Sequence, residues 1–209
     1  MLLFLIRHAL TAHTGELLSG WTPGISLSDT GREQARALAE RMKPVALDAI
    51  YASPLERTVE TARPLAASKK LRVRVREGLG EVHYGDWEGK RLRTLAKTKL
   101  WKQVMTRPSS VRFPGGETIA ETQARAVAAI EDLRAEHPRD AVAVVSHADV
   151  IRLLVSYYAG THIDLYQRIM IAPVSVSVLW IGDGGPYVLK VNDTGSLDGF
   201  GRRPRKGRR

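Results

Sequence analysis

Two stretches of the chain, Leu2 to Ile6 and Ala141 to Val145, are unbroken apolar runs of strand length. A strand covered on both faces requires such a run, so both are predicted at the centre of a parallel sheet. Between them the period changes. Ala35, Leu38, Ala39 and Met42 recur at helical spacing after Ser28 and Asp29, and Pro44 ends the run. Asp48 to Tyr51 predicts a short strand. Ser53-Pro54 then predicts a capped helix start with proline in the first turn, the helix running to about Ala67. Leu71, Val73 and Val75 alternate with Arg72, Arg74 and Arg76. That period of two predicts an edge strand with its apolar side chains inward and its arginines in water. Residues 90–106 read as helical but basic, and Ile119, Ala126, Val127, Ile130 and Leu133 mark a long amphipathic helix that stops before Pro138. A further helix is predicted from Asp149 to Tyr158. Val174 to Ile181 and Tyr187 to Val191 predict two closing strands, joined by a turn over Gly182-Asp183-Gly184-Gly185-Pro186. The alternation of strands and helices predicts an α/β fold: one three-layer domain over residues 1–194, a mostly parallel central sheet flanked by helices. Residues 195–209 read as a basic, disordered tail.

Composition narrows the class. With 209 residues, 44% hydrophobic and 26% charged, the chain is an ordinary globular one. A single domain of this size buries roughly 70% of its unfolded surface without staples. Cysteine is absent, which excludes a disulfide scaffold, a thiol nucleophile and thiolate metal ligation. No apolar run approaches the roughly 20 residues of a membrane span, and the opening Leu2-Leu3-Phe4-Leu5-Ile6 meets Arg7 and His8 too early for a signal peptide. The expectation is a cytoplasmic protein with no membrane partner. The formal charge is +10, but six of the 32 cations lie in the last eight residues, which leaves 26 cations against 22 acids for the rest. A second concentration, between Gly89 and Arg112, holds eight cations and no acid. It reads as a cationic rim or lid (residues 89–116) and hints at a substrate with an extra anionic group.

Chemistry in open α/β sheets gathers outside the carboxyl ends of the strands. Three such ends carry polar residues: Arg7-His8, then Ser53 to Thr58 with Arg57, and Ser146-His147-Ala148-Asp149. Two histidines and two arginines converging on one crevice suit a dense anion, above all a phosphoryl group. A neutral imidazole can attack phosphorus and form a phosphohistidine, while guanidinium groups neutralise the oxygens in the transition state. No His-Glu-x-x-His or other ligand spacing points to a metal, and no Walker loop is present, so no metal and no cofactor are expected. His13, His83, His137 and His162 read as ordinary surface or core residues.

Five segments, in one order, resemble the histidine phosphatase (phosphoglycerate mutase-like) superfamily. They are Leu5-Ile6-Arg7-His8-Ala9-Leu10-Thr11, Leu27 to Ala35, Ile50 to Ala62, Leu79 to Gly89, and Val144 to Arg152, with Pro114-Gly115-Gly116-Glu117 fitting the turn before the long helix. The resemblance implies a phosphoglycerate mutase-like fold with His8 as the phosphorylated nucleophile. It implies Arg7, Arg57 and His147 as the phosphate pocket, Glu81 as proton donor to the leaving group, and Thr14 in place of a phosphate-contacting Asn. Ala9, Leu10 and Ala148 stand where relatives carry Gly, an acidic residue or Gln, and Gly; a methyl at position 9 costs backbone freedom beside the nucleophile. The Glu81-Val82-His83-Tyr84-Gly85 segment is closer to the phosphatase branch than to the mutases, whose segment reads Glu-Arg-x-Tyr-Gly.

The expected activity is therefore metal-independent hydrolysis of a small phosphorylated metabolite by a monomer or homodimer. One alternative is a phosphoglycerate mutase-type phosphotransferase. The other is a weakly active relative whose basic tail binds nucleic acid or polyphosphate through phosphate contacts. Against that last reading, no aromatic residue is interleaved with the tail's arginines for base stacking.

Overall fold

A computed structural model describes residues 1–201. Six strands form one sheet in the order β3-β2-β4-β1-β5-β6. They are β1 (Leu2–Arg7), β2 (Ala49–Ala52), β3 (Val73–Val75), β4 (Ala141–Ser146), β5 (Val176–Gly182) and β6 (Gly185–Asp193). The pairings β3-β2, β2-β4 and β4-β1 are parallel, whereas β1-β5 and β5-β6 are antiparallel. The helices are α1 (Asp29–Arg41), α2 (Glu56–Lys69), α3 (Leu92–Leu95), α4 (Lys99–Thr106), α5 (Ile119–Glu136) and α6 (Ala148–Tyr158).

The unbroken apolar runs are buried on both faces for the reason the pattern suggested. Leu3, Leu5, Val142 and Val144 point to one side, where Ala126 and Ile130 of α5 and Val150 and Leu154 of α6 cover them. Phe4, Ile6, Ala143 and Val145 point to the other, against Leu38 and Met42 from α1 and its end and Leu65 of α2. The result is three layers, helix on sheet on helix. No helix among the described residues is long and apolar enough to cross a membrane.

Three of the six helices carry a side-chain cap at the N-terminus. Ser28 caps α1 by accepting from the Gly31 N–H, and Thr118 with Glu121 forms a capping box at α5. The start of α2 differs from expectation. It begins at Glu56, with Leu55 at the cap position and no side-chain cap. The Ser53 hydroxyl instead accepts from the Leu55 N–H at 3.3 Å, ahead of the helix, and meets the His147 ring at 2.8 Å. The basic stretch predicted as one helix is two, α3 and α4, and the hairpin turn is tighter than expected, Gly182 pairing directly with Gly185. In β3, Leu71 and Val73 pack against the core but Val75 is 48% exposed, so the alternation of Arg72, Arg74 and Arg76 overstates its buried face.

The segment expected to be loose from residue 195 is packed as far as residue 201. Leu197 is 1% exposed within the core layer beneath α1 and α2, Phe200 packs edge-on against Phe4, and Gly201 bridges to Val45. Apolar side chains at 197 and 200 hold this segment, outweighing the Gly and Ser around them. The arginine-rich residues 202–209 lie outside the described residues. Replacing Leu197 with Ala is expected to lower the unfolding free energy by about 2–4 kcal/mol, as for other buried leucines. A change under about 0.5 kcal/mol in a urea melt, the size typical of surface sites, would show that this segment is no part of the fold.

Candidate active site

The register of β1 against β4 builds the site. Arg7 pairs with Ser146, so the next residue on each parallel strand, His8 and His147, leaves the sheet side by side. The His8 N–H donates to the Ser146 carbonyl at 2.9 Å, and the two rings stand 5.3 Å apart at 61°. From the neighbouring strand β2, the chain turns directly into α2, whose first turn carries Arg57 to the same edge. Arg57 is 2% exposed and its Nη2 donates to the Gly20 carbonyl at 2.8 Å. Arg7 Nη1 donates to the Ile171 carbonyl at 2.7 Å.

The protonation of both rings follows from their partners. His8 Nδ1 lies 2.7 Å from the Ala9 carbonyl, which only accepts. Nδ1 therefore carries the proton, and Nε2 keeps its lone pair. Burial, then the charge of Arg57, pushes the His8 pKa down to about 3, so the ring is neutral near pH 7. His147 Nδ1 lies 3.3 Å from Arg57 Nη2, a donor, and so is the acceptor; Nε2 then donates to Ser53. Burial first, and Arg57 second, hold His147 well below the ordinary imidazole range.

Glu81 lies in the loop after β3, with Oε2 3.7 Å from His147 Nδ1 and Oε1 accepting from the Val82 N–H at 3.0 Å. Burial, with Asp149 second, raises its pKa to about 7. Asp149 is held by the Tyr84 hydroxyl at 2.7 Å and Arg152 Nη1 at 2.8 Å.

These groups surround one cavity of about 340 Å³, whose wall includes Arg7, His8, Thr14, Arg57 and Glu81. His147, 0% exposed, sits behind Arg57 and Glu81 and is not part of that wall. Two guanidinium nitrogens of these wall residues, Arg7 Nε and Arg57 Nη1, are buried and have no hydrogen-bond partner. A buried donor left unpaired costs about 1–3 kcal/mol, more for a charged group, so an anion in the cavity gains what the protein withholds. Thr14 Oγ1 accepts from the Thr11 N–H at 3.0 Å and shares a hydrogen bond with the Thr11 hydroxyl. Ala9 does not obstruct the site: its methyl packs with Leu27 and Ala35, and its N–H donates to Thr61 Oγ1.

The rim corrects the expectation of a cationic lid. From this segment Leu92, Trp101, Val104 and Met105 reach the cavity, whereas Lys90, Arg91, Arg93, Lys97, Lys99, Lys102, Arg107 and Arg112 are exposed and absent from its wall. Amphipathic α4 turns its apolar side inward, which a count of charges along the chain does not reveal. The further cation on the wall is Arg152, one helical turn after Asp149. Asp149, Tyr84, Arg152 and Gln167 line the cavity without having been singled out; the Asp149-Arg152 spacing of three on one helix was the available signal. His83 and His137 lie elsewhere, His83 stacked on Trp21 and His137 bonded to Asp140 and Tyr51.

This cavity, with Arg7, Arg57 and Arg152 on its wall at the carboxyl ends of the parallel strands, defines a phosphoryl-binding α/β protein. The histidine phosphatase superfamily (branch 1) profile matches residues 3–194, and the chain belongs to that family. Phosphoserine phosphatase 1 of Hydrogenobacter thermophilus is 30% identical over 95% of both chains. Phosphoglycerate mutase-like protein 4 of Arabidopsis thaliana is 30% identical over 94% of this chain and 90% of its own. Among solved structures, YhfR of Bacillus stearothermophilus superposes with a TM-score of 0.87 at 27% identity, covering 93% of this chain and 98% of that one.

Two titrations check the electrostatics. The His8 ring is expected to stay neutral with its proton on Nδ1 from pH 8 down to pH 5, read by nitrogen-15 NMR; a charged ring at pH 6 contradicts the geometry. Glu81 holds its proton more tightly folded, at about 7, than at the ordinary 4.5. Unfolding then releases a proton between those values, and stability falls as pH rises through them. The stability of the protein minus that of Glu81→Gln should therefore be greatest below pH 4.5, decline to about pH 7 and level off above. A rise over that window would reverse the assignment.

Proposed function

We propose that this protein hydrolyses phosphomonoesters through a phosphohistidine on His8, without a metal. The observation that carries the proposal is the meeting, on the wall of one cavity, of an imidazole with its lone pair free and two arginines that each keep a buried guanidinium nitrogen without a partner. In the first step the His8 Nε2 lone pair attacks phosphorus, the P–O ester bond breaks, and the leaving oxygen takes the Glu81 proton. Arg7 and Arg57 donate to the equatorial oxygens as their charge redistributes. In the second step water attacks the phosphoimidazole and the N–P bond breaks. Glu81, now a carboxylate, takes the water's proton, and inorganic phosphate leaves with His8 and Glu81 restored. A carboxyl that titrates near 7 suits both halves of that cycle. His147 holds Arg57 through Nδ1, and Thr14 offers a hydroxyl at the wall.

Hydrolysis is favoured over phosphate return to a second position by the family segment around Glu81 and by the full-length likeness to a phosphatase. The rim supports an alcohol portion with nonpolar surface, since Leu92, Trp101, Val104 and Met105 face it. Any further anionic group on the substrate would meet Arg152 rather than the lysines and arginines of residues 89–112. The compartment we propose remains the cytoplasm. The working unit is one chain or a pair of identical chains, and no nucleic acid enters the reaction.

His8→Ala is expected to abolish turnover of p-nitrophenyl phosphate and the acid-labile, base-stable phosphoenzyme trapped by quenching; persistence of either overturns the proposal. Glu81→Gln should lower kcat/KM for an alkyl phosphate by about 10²–10⁴-fold, the range of general acid catalysis, and much less for p-nitrophenyl phosphate, whose leaving group needs no proton. Equal losses on both would remove Glu81 from that role. Conversion of a phosphoglycerate to its isomer faster than release of inorganic phosphate would make the enzyme a mutase.

A further inference from the structure

Glu81 sits on a loop without regular structure, yet its backbone is held from two sides. From one side Arg125 of α5 donates to the Glu81 carbonyl at 2.7 Å and to the Gly78 and Gly80 carbonyls at 3.0 and 2.8 Å. From the other, the indole Nε1–H of Trp21 donates to the same Glu81 carbonyl at 2.6 Å. The indole is itself fixed. It lies flat on the His83 ring, with centroids 4.3 Å apart and planes 7° from parallel, and its far edge presses on Gly80. A Cβ at Gly80 would come within 2.2 Å of that edge, so glycine there lets the indole reach the carbonyl.

Trp21 is also one peptide unit from the phosphate pocket. The carbonyl of Gly20, a buried residue in the left-handed region at φ 50°, accepts from Arg57 Nη2 at 2.8 Å. A Cβ at Gly20 would meet the carboxyl end of Glu88 at 2.6 Å, a flexible side chain that can shift, so it is the left-handed backbone at φ 50° that favours glycine here. Adjacent residues thus bind the guanidinium that receives phosphate and the loop bearing the proposed acid. The peptide between them is planar and the indole is held by its stack on His83, so the distance between those two groups is set by the segment that joins them. Placement within about 0.5 Å is what a proton transfer to a departing oxygen demands.

We infer that Trp21 is a positioning residue for Glu81: its indole N–H, tied through Gly20 to Arg57, sets the acid at the distance from the phosphate pocket where the leaving oxygen departs. The inference rests on the hydrolase reading and on Glu81 as its acid. Trp21 touches neither substrate nor reacting atoms in this scheme; its effect passes through the Glu81 backbone.

Trp21→Phe keeps the stack on His83 and removes the N–H. Loss of one hydrogen bond of ordinary strength predicts a fall of about tenfold in kcat/KM for glycerol 2-phosphate. The value for p-nitrophenyl phosphate should change by less than about twofold, because its leaving group departs without the acid. The basic limb of the glycerol 2-phosphate profile should move to lower pH, since a loosened Glu81 is better solvated and gives up its proton sooner. In a Glu81→Gln background, Trp21→Phe should add nothing to the alkyl substrate's loss. Equal losses on both substrates, or a full additional loss in the Glu81→Gln background, would overturn the inference and leave Trp21 a packing residue. Failure of the underlying reading looks different: Glu81→Gln alone would then fail to separate alkyl from aryl phosphates.

Discussion

Arg7 and Arg57 are buried at a strand end and in the first turn of the helix that follows, with guanidinium nitrogens that the protein leaves unpaired. Everything around the cavity answers to that arrangement. Burying a charge without full hydrogen bonding is costly, and the cost is recovered only when an anion completes the donor set. The same two charges, together with burial, keep His8 and His147 neutral. Burial also holds a proton on Glu81 near neutral pH. Burial therefore lowers the pKa of the imidazoles and, with Asp149, raises that of Glu81 against the pull of Arg57 and Arg7, and so yields a free lone pair and a held proton on the wall of one cavity. Two titratable groups driven in opposite directions by shared surroundings is a familiar way of assigning nucleophile and acid.

The sheet is what makes this arrangement affordable in a chain of this length. Parallel neighbours β1, β4 and β2 present their carboxyl ends on one edge, and a single register, Arg7 opposite Ser146, places both histidines without any long-range adjustment. Helices on both faces cover the strands, so the edge is the place where polar side chains can emerge. The loops after β1 and β3 then bring in what the strands do not carry. Trp21 and Gly20 come from the first, Glu81 from the second, and hydrogen bonds rather than secondary structure lock them together.

Much of this was legible in the amino-acid order. Unbroken apolar runs marked β1 and β4 because burial on both faces leaves no position for a polar residue, and the histidines and arginines followed where those runs ended. What was not legible depended on orientation in space. The cations between Gly89 and Arg112 are dense in sequence, but all eight are exposed, while α3 and α4 send Leu92, Trp101 and Val104 to the cavity. Ser-Pro is a strong local cap signal, yet the Ser53 hydroxyl bonds the Leu55 N–H and the His147 ring, and the helix starts two residues later. Gly, Ser and Arg around Leu197 suggested a loose tail, and one buried leucine outweighed them. Local patterns predict local structure well; which side of a short helix faces a cavity is decided by partners far along the chain.

The central claim is that a tetrahedral oxyanion completes the unpaired donors of Arg7 and Arg57 in front of His8. A crystal structure of the protein with orthovanadate tests it most directly. The account predicts vanadium bonded to His8 Nε2, with Arg7 Nε and Arg57 Nη1 donating to its equatorial oxygens and the Glu81 carboxyl at the apical oxygen opposite His8. Vanadate bound elsewhere, or bound at His8 with both guanidinium nitrogens still unpaired, would contradict it.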